Sequence, residues 1–135
     1  EMQFNQVEGI VVGKNITLAD LKGTFVEFAK HMYGGKTQLR FRASYFPFTE
    51  PSVEIDVYWG TATERDRMIT KGTGWLEISG AGMIHPTVLR NGGYDPEIWS
   101  GFAFGMGPER AAMRLLGIND IRYFWQNDLR FLEQF

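Results

Sequence analysis

With 135 residues, 44% hydrophobic and 22% charged, the chain has the length and balance of one globular domain that buries its own core. A net charge of −2 argues against a domain whose main task is to grip a polyanion, and the absence of cysteine excludes disulfides, thiol catalysis and thiolate metal sites. The composition fits a reducing, cytoplasmic setting, and no apolar run approaches the roughly 18 residues of a membrane span.

Residues 1–13 predict a strand, and because the chain opens inside it at Glu1 the sequence reads as a segment of a longer polypeptide. On that strand Phe4, Gln6 and Glu8 fall at i, i+2 and i+4 and share one face. An aromatic, an amide and a carboxylate in a row suit either a solvated edge or a site that stacks a ring and fixes an ammonium group. Thr17-Leu-Ala-Asp20 has capping-box spacing, with Asp for the usual Glu or Gln, so a helix is expected over 18–33. Leu18, Leu21, Phe25, Phe28 and Met32 form its apolar stripe, and Gly34-Gly35 stops it. Gly34-Gly-Lys-Thr37 looks like the end of a phosphate-binding loop, but it follows a helix and lacks the first glycine, so it is set aside.

Strands are expected at 38–43 and 52–60. In the second, Val53, Ile55, Val57 and Trp59 alternate with Glu54, Asp56 and Tyr58, the pattern of an antiparallel sheet. The aromatic-rich stretch Arg40-Phe-Arg-Ala-Ser-Tyr-Phe-Pro-Phe-Thr-Glu-Pro51 assigns Phe41 and Tyr45 to the core. Phe46 and Phe48 flank Pro47 in an expected extended segment and can wall an aromatic-sized pocket. Glu50, Glu54 and Asp56 are candidate Mg²⁺ donors, since that ion is commonly held by one or two carboxylates plus substrate phosphate.

Residues 61–73 read as a polar loop, 75–83 as a strand and 86–91 as a short helix closed by Gly92-Gly93. A strand at 100–106, a helix at 108–116 and a partly helical tail over 120–135 complete an α+β domain, an antiparallel sheet flanked by helices. Of the two histidines, His31 at a helix end reads as structural, and His85 sits in a turn before Pro86. No residue set has zinc-ligand spacing.

Gly101-Phe-Ala-Phe-Gly-Met-Gly-Pro-Glu-Arg110 is the most informative stretch. It predicts a glycine-punctuated strand running into a helix that opens at Pro108, where proline's missing N–H costs nothing. Arg110 then lies in the first turn, the end at which the helix dipole disfavours a cation. An anionic ligand, phosphate-bearing, accounts for it.

These stretches, together with Gln6-Val-Glu-Gly9, Gly74-Trp-Leu-Glu-Ile78, Ile118-Asn-Asp-Ile-Arg122 and Asn127-Asp-Leu-Arg-Phe-Leu132, strongly resemble the α subunit of bacterial phenylalanyl-tRNA synthetase, a class II aminoacyl-tRNA synthetase. The resemblance runs over essentially all 135 residues and implies the C-terminal half of the catalytic domain, from the end of motif 2 through motif 3. It implies ATP as co-substrate with Mg²⁺, phenylalanine and tRNA(Phe) as substrates, and a separate β subunit, carrying the editing function, in an (αβ)₂ heterotetramer. On this likeness Phe4 stacks on adenine, Gln6 and Glu8 hold the substrate ammonium, and Phe46 and Phe48 pack on the phenylalanine ring. Thr49 also belongs to the amino-acid side, and Ala103 is the small floor that limits para-substituted analogues. Arg110 lies over adenine and meets the phosphates, Gly105 and Gly107 line the nucleotide, and Glu50 contacts a metal.

The chain departs from the family pattern at Asn5, where His is usual, and at Ala81, where Cys is frequent. Motif 1 and the first strand of motif 2, with its phosphate-binding arginine, are expected upstream, so the isolated segment is expected to be catalytically impaired. A reading of another class is a non-catalytic phenylalanine-binding or interaction module derived from such an enzyme.

Overall fold

The computed structural model describes residues 4–135 and places one five-stranded, wholly antiparallel sheet at the centre of the fold. Its strands are β1 (Val7–Gly13), β2 (Leu39–Phe46), β3 (Thr49–Tyr58), β4 (Trp75–Ile84) and β5 (Ser100–Met106), in the order β1-β5-β4-β3-β2. Helices α1 (Leu18–Tyr33), α2 (Glu64–Ile69), α3 (Pro86–Asn91), α4 (Pro108–Leu116) and α5 (Leu129–Leu132) connect and follow the strands, with a 3₁₀ turn at Ile121–Phe124. The α+β, antiparallel reading is therefore correct.

Helix α1 begins where the capping box places it: Asp20 N–H donates to Thr17 Oγ1 at 3.2 Å, and Thr17 N–H donates to Asp20 Oδ2 at 2.7 Å. Leu21 and Phe25 drive into the sheet against Val53, Ile55, Val57, Ile78 and Phe102. Leu21 is fully buried, which contributes about 1.5–3 kcal/mol relative to exposure. Ala29 completes the buried stripe, while Leu18, Phe28 and Met32 are only half-buried. Helix α1 touches α4, and both touch β4, so they cover one face of the sheet.

Four expectations are corrected. The first strand begins at Val7, not at the start of the chain; residues 4–6 precede the ladder, and 1–3 lie outside the described residues. The expected loop at 61–73 contains α2. Its capping box repeats that of α1: Asp66 N–H donates to Thr63 Oγ1 at 3.0 Å, and Thr63 N–H returns to Asp66 Oδ2 at 2.9 Å. Asp66 also accepts from Trp59 Nε1 at 2.9 Å, which ties the helix to the end of β3. Pro47 and Phe48 form a tight turn between β2 and β3 in place of the extended segment. Tyr45 is 82% exposed instead of core, because it sits at an irregularity in the β2–β3 register between Ser44 and Phe46 and points off the sheet.

Candidate active site

The face of the sheet opposite α1 and α4 is floored by small residues. Directly opposed residues of antiparallel strands put their side chains on the same face. The pairs Glu8–Gly105, Ile10–Ala103, Gly80–Gly105 and Gly82–Ala103 therefore lie together, across β1, β5 and β4. A bulge in β4 extends this face: Asp56 opposes Glu77 and Glu54 opposes Gly80, so residues two apart on β3 meet residues three apart on β4. Glu77 is thereby brought onto the face that carries Gly80, a result that period-two reading of the strand does not give.

Two adjoining cavities open on this floor. The first, of about 660 Å³, is apolar at one end, where Phe46, Phe48, Ile10, Ala81, Ala103 and Phe104 line it. The Phe46 and Phe48 rings stack at 5.9 Å with planes 10° apart, so the turn achieves what an extended segment was expected to provide. A Cβ on Gly80 would come within 2.9 Å of Phe46 Cζ, and glycine here lets that ring lie over the sheet. The polar end is lined by Gln6, Glu8, Glu54 and Glu77. Thr49 also lines this cavity; it is buried, with Oγ1 2.7 Å from Ser52 Oγ.

The second cavity, of about 450 Å³, runs between residues 4–6 and the start of α4. Phe4 and Arg110 line it, with Gly105, Gly107, Glu109 and the tail residues Ile121 and Trp125. Gln6, Glu77, Gly80 and Gly105 border both cavities and mark where their contents would meet. Arg110 Nη1 donates to the Glu77 carbonyl at 3.0 Å. That neutral partner leaves its charge available to an anion in the cleft. Gly105, whose absent side chain faces Gln6 and Glu8, keeps the junction open.

The carboxylates are not equivalent. Asp56 is buried, and accepts from Arg40 at 2.6 and 2.9 Å and from Arg42 at 2.6 and 2.8 Å, so it is no metal donor in this arrangement. Burial pushes its carboxyl up, but hydrogen bonds from Arg42 and Arg40 and their charges outweigh this and hold it below its ordinary value. Arg42 also pairs with Glu54 at 2.7 Å and approaches Glu77 at 3.5 Å. Glu50 lines neither cavity; its side chain is 77% exposed and lies 3.7 Å from His85 Nε2. Among the described residues no group of three or more His, Cys, Asp or Glu is arranged to hold a metal ion. His31 Nδ1 contacts the Glu27 carbonyl at 2.8 Å, and His85 caps α3 by accepting from Thr87 N–H at 3.1 Å. Neither histidine lines either of these two cavities.

The structure thus brings Phe4, Gln6, Glu8, Phe46, Phe48, Thr49, Ala103, Gly105, Gly107 and Arg110 to the linings of two adjoining cavities and leaves Glu50 outside both. Sequence reasoning missed Glu77, Glu109, Ile121 and Trp125. The bulge hides Glu77, and the tail residues arrive by tertiary packing with no local signal.

The family model for the class II core domain of tRNA synthetases (F) matches residues 1–135, the whole chain. The chain belongs to this family. The synthetase core is 63% identical over 135 residues to the phenylalanine–tRNA ligase α subunit of Herpetosiphon aurantiacus and 64% identical to that of Roseiflexus castenholzii. It is also 59% identical over 133 residues to that of Geobacillus kaustophilus. These alignments take in 98–100% of the chain but 39% of each relative, so the synthetase core spans about two-fifths of their length. No helix among its described residues is long and apolar enough to cross a membrane.

Proposed function

We propose that the polypeptide carrying this core activates phenylalanine with ATP and transfers it to tRNA(Phe), working with a β subunit in an (αβ)₂ assembly in the cytoplasm. The observation that carries the reading is the junction of the two cavities. An apolar, aromatic-walled pocket with a small floor meets a cleft bearing an aromatic ring and an arginine whose charge pairs with no carboxylate among the described residues, across Gln6, Glu77, Gly80 and Gly105.

In this reading the benzyl group enters between Phe46, Phe48 and Ala103, and Gln6 and Glu8 hold the ammonium. Thr49, hydrogen-bonded to Ser52, stiffens the wall. The carboxylate then lies over Gly105, facing the α-phosphate of ATP. A carboxylate oxygen attacks the α-phosphorus, the bond to the β-phosphate oxygen breaks, and pyrophosphate departs. No protein nucleophile is needed; the residues orient the reactants and neutralise charge. Phe4 and Arg110 take the two sides of the adenine, Arg110 reaches the phosphates, and Gly105 and Gly107 let the nucleotide approach the main chain. Mg²⁺ would offset phosphate charge. Glu50 lies outside both cavities and does not by itself place such an ion on the phosphates, and the described residues hold no group of three or more potential ligands.

A phenylalanine sensor has no use for the second cavity, which favours the enzyme. Phenylalanine-dependent ATP–pyrophosphate exchange by the intact protein tests the reading, and phenylalanine binding with no response to ATP would overturn it. The isolated 135-residue chain is expected to exchange far more slowly. Loss of one electrostatic donor costs about 2.7–4 kcal/mol of transition-state stabilisation.

A further inference from the structure

We propose that the hydrogen bond between Asn5 and Glu109 sets the gap between Phe4 and Arg110, making these two the positioning residues of the nucleotide cleft; this rests on the nucleotide-binding reading above. Asn5 Nδ2 donates to Glu109 Oε1 at 2.9 Å across 104 residues of sequence. Both partners border the second cavity, and each is the chain neighbour of a residue assigned to the nucleotide: Phe4 precedes Asn5, and Arg110 follows Glu109. The bond therefore joins the two sides of the cleft.

The segment it fastens needs such a tie. Residues 4–6 lie outside the β1–β5 ladder, whose terminal pair is Val7–Met106, so ladder hydrogen bonds do not fix Phe4. The other end is firm. Glu109 is 8% exposed and stands in the first turn of α4, where the helix dipole favours its charge. A carboxylate this buried is costly without a donor, which holds the contact closed. Arg110 is restrained a second time by its bond to the Glu77 carbonyl at 3.0 Å.

The amino-acid pocket does not depend on this tie to the same degree. Gln6 shares the segment that Asn5 ties down, but Glu8 and Ala103 are held within paired strands, and Phe46 and Phe48 by the β2–β3 turn. Releasing Asn5 should therefore weaken nucleotide binding more than phenylalanine binding.

The test is steady-state ATP–pyrophosphate exchange by the intact synthetase. Asn5→Ala is expected to raise KM for ATP on the order of tenfold or more, the usual effect of losing a hydrogen bond to a charged group. KM for phenylalanine should rise much less, and the melting temperature should fall modestly, because the Glu109 carboxylate is left without its donor. Glu109→Ala should match it, and the double variant should be no worse than either single one, because the two act through one contact. Asn5→His, whose ring N–H can replace the amide donor, should restore most of the ATP affinity. Asn5→Leu is close in size, removes the donor without setting a second carboxylate against Glu109, and serves if the alanine variant does not fold.

An unchanged KM for ATP, equal rises in both KM values, or additive effects in the double variant would overturn the positioning role. A wild-type enzyme without phenylalanine-dependent exchange would instead overturn the proposed function itself.

Discussion

Arg42 illustrates how much of the site rests on one side chain that never enters it. It holds Asp56, Glu54 and Glu77, and the last two line the amino-acid cavity. Arg42→Met leaves Asp56 with Arg40 alone and frees two neighbouring carboxylates to repel each other. The loss is expected to be about 1.5–3 kcal/mol, the worth of a hydrogen bond to a charged group, read as a lower urea midpoint. Arg110→Ala acts on chemistry instead of folding. Its removal should lower kcat by about 10²–10³, with little change in melting temperature. Ala103→Val adds bulk to the pocket floor. A methylene-scale change in an apolar pocket is worth about 1–3 kcal/mol, so kcat/KM for phenylalanine should fall by about 10–200-fold. An unaltered kcat/KM would remove Ala103 from the floor.

At the scale of elements, legibility followed how local the determinant was. The boundaries of α1, α3 and α4 could be read from the sequence because caps, Pro86, Pro108 and terminal glycines are neighbours along the chain. Helix α2 was equally marked, by Thr63-Glu-Arg-Asp66, but its polar composition hid the capping box. Thr63→Ala should cost about 1 kcal/mol, the typical worth of an N-cap, visible as a lower melting temperature. The bulge in β4 is a different case. An extra residue in one strand is defined only by its partner, so the faces of Glu77 and Ile78 could not be assigned from β4 alone. The tight turn at Pro47 replaces the expected extended segment without parting Phe46 from Phe48, since both geometries can set these two rings side by side.

For the molecule as a whole, acid is a probe of the ionic wall. Asp56 has a folded pKa below its ordinary value, and Asp120 is held down at about 2 by hydrogen bonds from the Arg122 side chain and backbone. Such groups contribute fully above the unfolded carboxylate value of about 3.9 and lose that contribution as pH falls through the folded value. The melting temperature should therefore be flat with respect to these groups near neutrality and drop below about pH 4. Asp56→Asn should lower the neutral-pH plateau and shallow the acid slope, and an unchanged slope would show that the wall does not carry the effect. The α+β class could be read from the sequence, because glycine and proline punctuation sits beside the elements it bounds, while the residues that line the candidate site were expected chiefly from the family resemblance. The division into two communicating cavities could not, because it depends on which strands become neighbours.

That neighbourhood has a consequence in time. Strand β1 opens the sheet's sequence order yet pairs with β5, the last strand, from Val7–Met106 to Gly13–Ser100. Strands β2, β3 and β4 can assemble from consecutive stretches of chain, but β1 must wait until almost the entire segment has been made. Contacts of such sequence separation form slowly, because the loop must close before the pairing rewards it. Gln6 and Glu8 thus meet Ala103 and Gly105 at the final closure. The β2–β4 part of the sheet would thus form before this candidate site is complete, and ligand binding there would report completion of the sheet.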